Sequence, residues 1–281
     1  MLHDRVRVRK ADGCGAHVEG IDLGRLTERE ADDVREALFE HGVLFFRDQS
    51  LTPEQHVAMA EAIGRIDINR FFPALRGYPQ IAKVEKTPEQ RSNIGGGWHT
   101  DHSYDAEPAM GSILVARETP PIGGDTLFAD MYAAYEALDD DARAEIAGLR
   151  AVHGSGHVFG AAGTATRGDQ TALTARPGVE TPESVHPVVI RHPGSGKPAL
   201  YVNPGFTLRF EGRSREESLP LLQRLFAHAI QPERVCRFAW RPGSVAFWDN
   251  RATWHFALND YHGHYRLMHR ITLAGVALEA A

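Results

Sequence analysis

The tetrapeptide Trp98-His99-Thr100-Asp101, which follows three consecutive glycines at 95–97, limits what this chain can fold into. Along an extended segment side chains alternate faces, so His99 and Asp101 point one way and Thr100 the other. An imidazole and a carboxylate then stand roughly 6–7 Å apart at their Cβ atoms, within reach of one shared metal ion. A candidate third ligand, His255, ends the run Trp248-Asp249-Asn250-Arg251-Ala252-Thr253-Trp254-His255. If all three serve one ion, the fold must join opposite halves of the polypeptide. Two imidazoles and a carboxylate on one face leave the other coordination positions open, a ligand set that suits non-haem Fe(II). Alone, His-x-Asp is a weak signal among 15 histidines in 281 residues, so the surrounding chain has to support it.

The pattern along the chain supplies a fold that can do this. The first 25 residues read as short extended pieces punctuated by glycine. A helix starts at the capping box Thr27-Glu28-Arg29-Glu30 and stops at Gly42, and Val43-Leu44-Phe45-Phe46 reads as a buried strand. A second helix opens at Thr52-Pro53-Glu54-Gln55 and ends near Gly64. Strands are then expected at Ile81–Val84, Ile113–Ala116, Thr126–Ala129, Val188–Arg191, Leu200–Asn203, Val235–Trp240, Ser244–Trp248 and Arg266–Leu273. Helical patterns interrupt them at Met131–Leu149 and at Ser214–Ala229. Many short strands with long connections predict a mainly β fold with flanking helices, built on a cupin-like double-stranded β-helix, or jelly roll. The N-terminal helices would cover one outer face. A single domain over 1–281 is expected, and the Gly-, Ala- and Thr-rich stretch 154–184 reads as an active-site lid.

Composition removes several alternatives. A net charge of −6 and no basic run leave no footprint for nucleic acid or an anionic membrane. Nowhere is there an apolar stretch of membrane-spanning length, and the start Met1-Leu2-His3-Asp4-Arg5 lacks a signal-peptide core, so a cytoplasmic location is expected. Cys14 and Cys236 are too few for a disulfide framework or a thiolate zinc site and read as packed thiols. Composition leaves the oligomeric state open, a homo-oligomer included.

Four segments, taken in order, carry a resemblance: Trp98-His99-Thr100-Asp101, Gly123-Gly124-Asp125-Thr126, Trp248-Asp249-Asn250-Arg251 and Arg266-Leu267-Met268-His269-Arg270. Together they resemble the TauD/TfdA family of Fe(II)- and 2-oxoglutarate-dependent dioxygenases, and the likeness runs nearly the length of the chain. The resemblance implies that His99, Asp101 and His255 hold iron and that Thr126 and Arg266 hold the distal carboxylate of 2-oxoglutarate. O2 would be the second cosubstrate. An arginine fork and a threonine hydroxyl suit a carboxylate. Arg266 and Arg270 share one face of the last expected strand, where unpaired burial would be costly and anionic ligands would relieve it. For Arg270 that ligand would be an acidic group of the substrate near the iron, or alternatively a carboxylate of the protein itself. Because Asp101 retains the carboxylate that related halogenases lack, hydroxylation is the expected outcome.

In taurine-specific relatives a histidine and a tyrosine follow the second helix, and here Asn69 and Phe72 stand in their place. Phenylalanine donates no hydrogen bond, and Gly95 offers no side chain where those relatives carry an amide, so taurine is disfavoured. Phe72, His102, Tyr104, Phe159 and Phe206 are expected instead to form an apolar pocket around Arg270. The expected substrate is a small organic anion with an apolar body, such as a sulfonate, a sulfate ester or a carboxylate. Other readings are a biosynthetic 2-oxoglutarate oxidase, a metal-dependent hydrolase on the same triad, and a non-catalytic jelly-roll binding protein.

Overall fold

The computed structural model describes residues 6–160, 181 and 183–281. Two β layers face each other. The larger sheet contains, side by side, the strands Ala16–Glu19, Val43–Phe46, Val245–Asp249, Gly111–Glu118, Arg266–Leu273 and Tyr78–Lys86. Opposite lies an antiparallel sheet in which Thr126–Asp130 is flanked by Val235–Phe238 and Thr253–Ala257. Apart from the parallel pairing of Ala16–Glu19 with Val43–Phe46, the large sheet is antiparallel among the described strands, as a jelly roll requires.

Alternation explains why the large-sheet strands are apolar on both faces. Val43, Phe45, Leu114, Ala116, Ala246, Trp248 and Met268 point between the layers and meet Phe128, Cys236 and Phe238 of the opposite sheet. Their neighbours Leu44, Phe46, Ile113, Val115, Val245, Phe247, Ile271 and Leu273 point outward and are covered by Val34, Leu38, Met59 and Ile63. Those covering residues lie on the helices Glu28–His41 and Pro53–Ile63, whose capping boxes at Thr27 and Thr52 form as expected. The N-terminal helices therefore do cover one outer face. Both cysteines are free and buried.

Three departures have local causes. The expected helix Met131–Leu149 is two helices, Met131–Glu136 and Asp140–Ile146, because Asp139 caps a new start by accepting from the Ala142 N–H at 2.8 Å. The strand expected at Leu200–Asn203 ends at Leu200, and Asn203 turns the chain by accepting from Phe206 N–H at 2.8 Å. Arg150–Gly154, Glu183–Pro187 and Thr207–Phe210 form a further antiparallel sheet that the apolar pattern did not announce. Most of the 154–184 segment expected to act as a lid lies outside the described residues.

Among the described histidines buried away from the cavity wall, His56, His153 and His269 are held neutral. Burial lowers His56 and His153 to about 3 and His269 to about 4 from an ordinary 6.5. Unfolding would let each bind a proton between its lowered value and 6.5. The stability they contribute is therefore complete above pH 6.5 and is lost as pH falls, towards about 4 for His269 and about 3 for His56 and His153. A series of thermal melts across that range should show Tm dropping steeply on the acid side, and a flat profile would contradict it.

Candidate active site

His99 and His255 meet through the backbone. Each donates its N–H to the other's carbonyl, at 3.1 and 2.8 Å, in an isolated antiparallel bridge. Their rings lie side by side with centroids 4.1 Å apart. Asp101 closes the group, with its carboxylate oxygens 3.8 Å from His99 Nε2 and 3.5 Å from His255 Nε2. One ligand atom from each of the three lies within 4.8 Å of the others. Thr100 points away and donates its hydroxyl to the Asn250 carbonyl, so the alternation expected from the sequence holds.

The donor set fits a divalent ion. His99 Nδ1 lies 2.8 Å from the Gly97 carbonyl, which makes Nδ1 the protonated nitrogen and leaves the Nε2 lone pair facing Asp101. Burial and the neighbouring His99 push His255 well below its ordinary range, so its imidazole is neutral. Burial alone would raise the Asp101 carboxyl, but Arg270, His255 and His99 outweigh it and hold the group far below the usual carboxylate range. The neutral His255 imidazole and the Asp101 carboxylate are then ready without losing a proton, and His99 presents Nε2 beside them.

Behind His255 the preceding turn is fastened by a buried ion pair. Asp249 accepts from Arg251 Nε at 2.8 Å and Nη2 at 2.6 Å, and from His192 Nε2 at 3.0 Å. Ring contacts continue this support, with Trp248 4.7 Å and Phe128 6.3 Å from His255. Gly205 is equally constraining, since a Cβ there would lie 2.6 Å from His99 Cβ. No side chain fits at that position.

The three residues open on a cavity of about 700 Å³. Arg266 and Thr126 lie in its wall. Thr126 accepts from Trp240 Nε1 at 2.9 Å, which leaves its hydroxyl hydrogen free to donate. The Arg266 guanidinium sits between Trp240 and Tyr261, 5.8 and 6.0 Å from their rings. Burial lowers its pKa, its Nε has no hydrogen-bond partner, and no carboxylate reaches it among the described residues. Asp125, the carboxylate whose charge acts on Arg266 through space, is drawn to Arg237 at 2.6 Å. A buried arginine without a counter-ion is an anion site. The loop can press this close because Gly124 adopts φ +74°, and a Cβ there would lie 3.0 Å from Pro120 and 3.3 Å from Tyr261.

Arg270 has the protein partner that the sequence left as an alternative. Its Nη2 donates to Asp101 and to Ser112, both at 2.8 Å, while its Nε is unpartnered. The ring centroids of Trp248 and Phe72 lie 5.7 and 6.0 Å from the guanidinium.

Every other residue named for substrate contact lines the same cavity: Asn69, Phe72, His102, Tyr104, Phe159 and Phe206. Their surroundings differ, however. Asn69 Oδ1 accepts from the Phe71 and Phe72 N–H groups at 2.9 and 3.0 Å and so shapes its own loop. His102 takes a left-handed φ of 59° and its Nδ1 lies 2.9 Å from Asp105, which also pairs with Arg70. Tyr104 meets Phe206 edge-on at 4.8 Å. Sequence reasoning missed Phe71, which stacks on Phe159 at 4.0 Å, and missed Ser112, Trp240 and Tyr261. Phe71 adjoins Phe72 and could have been inferred; Ser112 is positioned by strand register, Trp240 lies just past the strand Val235–Phe238, and Tyr261 lies in the loop before Arg266–Leu273.

Comparison with known proteins agrees with this geometry. The family model described as taurine catabolism dioxygenase TauD, TfdA family, matches residues 7–272. The chain is similar to an alkylsulfatase of Acinetobacter baylyi, with 36% identity across 96% of this chain and 86% of that protein. It is also 34% identical to an alpha-ketoglutarate-dependent sulfate ester dioxygenase of Pseudomonas putida, over 94% of this chain and 88% of the relative. A crystal structure of a taurine dioxygenase from Burkholderia xenovorans superposes with a TM-score of 0.80 at 35% identity, covering 98% and 93% of the two chains. With both sequence and architecture matched from end to end, the chain belongs to the TauD/TfdA family of Fe(II)- and 2-oxoglutarate-dependent dioxygenases.

Proposed function

We propose that the chain hydroxylates a C–H bond of a small organic anion with an apolar body, a sulfate ester, sulfonate or carboxylate, and that taurine is a poor substrate. The observation that carries this is a metal-ligand cluster opening on one cavity that also holds Arg266, Arg270 and a cluster of aromatic rings. His99, Asp101 and His255 would hold Fe(II), and Arg266 with Thr126 would hold the far carboxylate of 2-oxoglutarate. With both bound, the chemistry supplied is O2-dependent: the keto acid is decarboxylated to succinate and CO2 while a substrate C–H becomes C–OH.

Within this scheme the side chains orient and select. Arg270 fixes the Asp101 carboxylate through Nη2 and has its remaining N–H groups for the acidic head of the substrate. Phe72 and Tyr104, both buried, form an apolar wall that shields the reacting carbon from water. The ammonium group of taurine finds an aromatic ring where a hydrogen-bond partner would be needed. When the hydroxylated carbon bears a sulfate oxygen, the product collapses to an aldehyde or ketone and free sulfate. Both named relatives with sulfate-ester activity favour testing that class first.

The test is anaerobic reconstitution with Fe(II) and 2-oxoglutarate, admission of air, and measurement of succinate formed with alkyl sulfates, sulfonates, aryloxy acids and taurine. The best anion with an apolar body should exceed taurine by about tenfold or more in kcat/KM, the range one lost polar contact can produce. Taurine as the best substrate, or no anion stimulating succinate release, would sink the proposal. No helix among the described residues is long and apolar enough to cross a membrane.

A further inference from the structure

The wall beside His99 is made of three glycines, and they are not equivalent. Gly95 has φ +77°, and a Cβ there would come within 3.2 Å of His99 Cε1. Gly96 would place a Cβ 2.6 Å from Asn93 Oδ1. A side chain at Gly95 would be strained by the backbone conformation and would crowd a candidate ligand, and one at Gly96 would have to displace the end of the Asn93 side chain. Gly97 differs on each count. Its φ lies outside the left-handed region, and a Cβ built on it meets nothing within 4 Å. The residue is exposed and lines the cavity, so it stands at the mouth. What Gly97 contributes to the candidate metal site is its carbonyl, the acceptor for His99 Nδ1 at 2.8 Å. A side chain does not alter that acceptor, so a substituent could be added at the mouth without removing a contact to the cluster.

We propose that Gly97 determines how bulky a substrate body the cavity admits, its missing side chain leaving the mouth open for the part of the substrate remote from the anionic head. This rests on the substrate class proposed above. The aromatic rings give the body an apolar surface, but they are packed on one another. Phe71 stacks on Phe159, and Tyr104 meets Phe206 edge-on. Widening that wall would mean breaking packing, whereas the glycine wall is open as it stands. The chemistry that fits is an alkyl sulfate or sulfonate whose chain runs past position 97, with its head held at Arg270.

Gly97→Val and Gly97→Phe test this against alkyl sulfates graded from ethyl to decyl. Succinate release reports turnover. Calorimetric binding to enzyme carrying Mn(II) and 2-oxoglutarate under nitrogen reports the cavity without turnover. For Gly97→Phe the KM and Kd of the decyl ester should rise about tenfold or more, with Gly97→Val between it and the native chain. The ethyl ester should stay within about twofold, because its body does not reach the mouth. A length profile unchanged by substitution, or one lowered equally for every ester, overturns the proposal, as does a native enzyme that binds no ester. Binding that follows the expected profile without turnover would leave Gly97 as the size determinant and discard the reaction assigned to that class.

Discussion

Asp101→Ala should abolish succinate formation and weaken divalent-metal binding by more than about 100-fold, the upper range that outer partners of a metal ligand alone reach. Two effects combine. The candidate cluster loses its only charged member, so Fe(II) would be left with two neutral imidazoles. Arg270 also loses its carboxylate, becoming a buried cation bonded only to the Ser112 hydroxyl among the described residues. Removing one partner of a buried ion pair costs about 3–5 kcal/mol, so the metal-free variant should melt well below the native protein. Asp101→Ala/Arg270→Met separates the effects: stability should return, since an apolar side chain of similar length replaces the stranded charge, while metal binding should not. Thermal melts and anaerobic metal titration read the two separately. Native-like turnover by Asp101→Ala would remove the metal assignment.

Arg266→Met should behave in the opposite way. Arg266 is a buried cation without a carboxylate partner among the described residues, so replacing it leaves no countercharge behind. The metal-free protein should melt at the native temperature or slightly above. By contrast, the affinity for 2-oxoglutarate should fall about 100-fold, the loss expected for a paired charge-assisted contact in a buried site. Titration with 2-oxoglutarate under nitrogen and a KM series in air both measure it. An unchanged KM for 2-oxoglutarate would show that the arginine holds something else. The contrast between Asp101→Ala, which strands Arg270, and Arg266→Met, which strands nothing, distinguishes a charge matched by the protein from one awaiting a ligand.

How much of this was legible beforehand depends on the range of the physics involved. The capping boxes at Thr27, Thr52 and Ser214 are local, and each starts a helix where the sequence places it. Strands apolar on both faces, such as Val43–Phe46, are legible for the same reason. The failure at 131–149 arose because Asp139 reads as an ordinary helix-surface acid until its cap geometry is seen. At the candidate site, the motif residues were legible because alternation places His99 and Asp101 on one face within three positions. Asn69 shows the limit. Alignment gives its position, but whether its amide oxygen faces a ligand or its own backbone depends on the turn it makes. Ser112 and Trp240 were beyond reach for another reason, since neither belongs to a motif and each meets its partner only through strand pairing.

The reciprocal hydrogen bonds between residues 99 and 255 have a further consequence. Because main-chain atoms join the two halves of the cluster, its assembly is coupled to closure of the barrel rather than to arrival of an ion. Chelators should therefore strip such a protein to an inactive but folded form that reloads on demand. Loss and recovery of iron become events in the life of a finished molecule, unlike those domains that melt when their zinc is taken away.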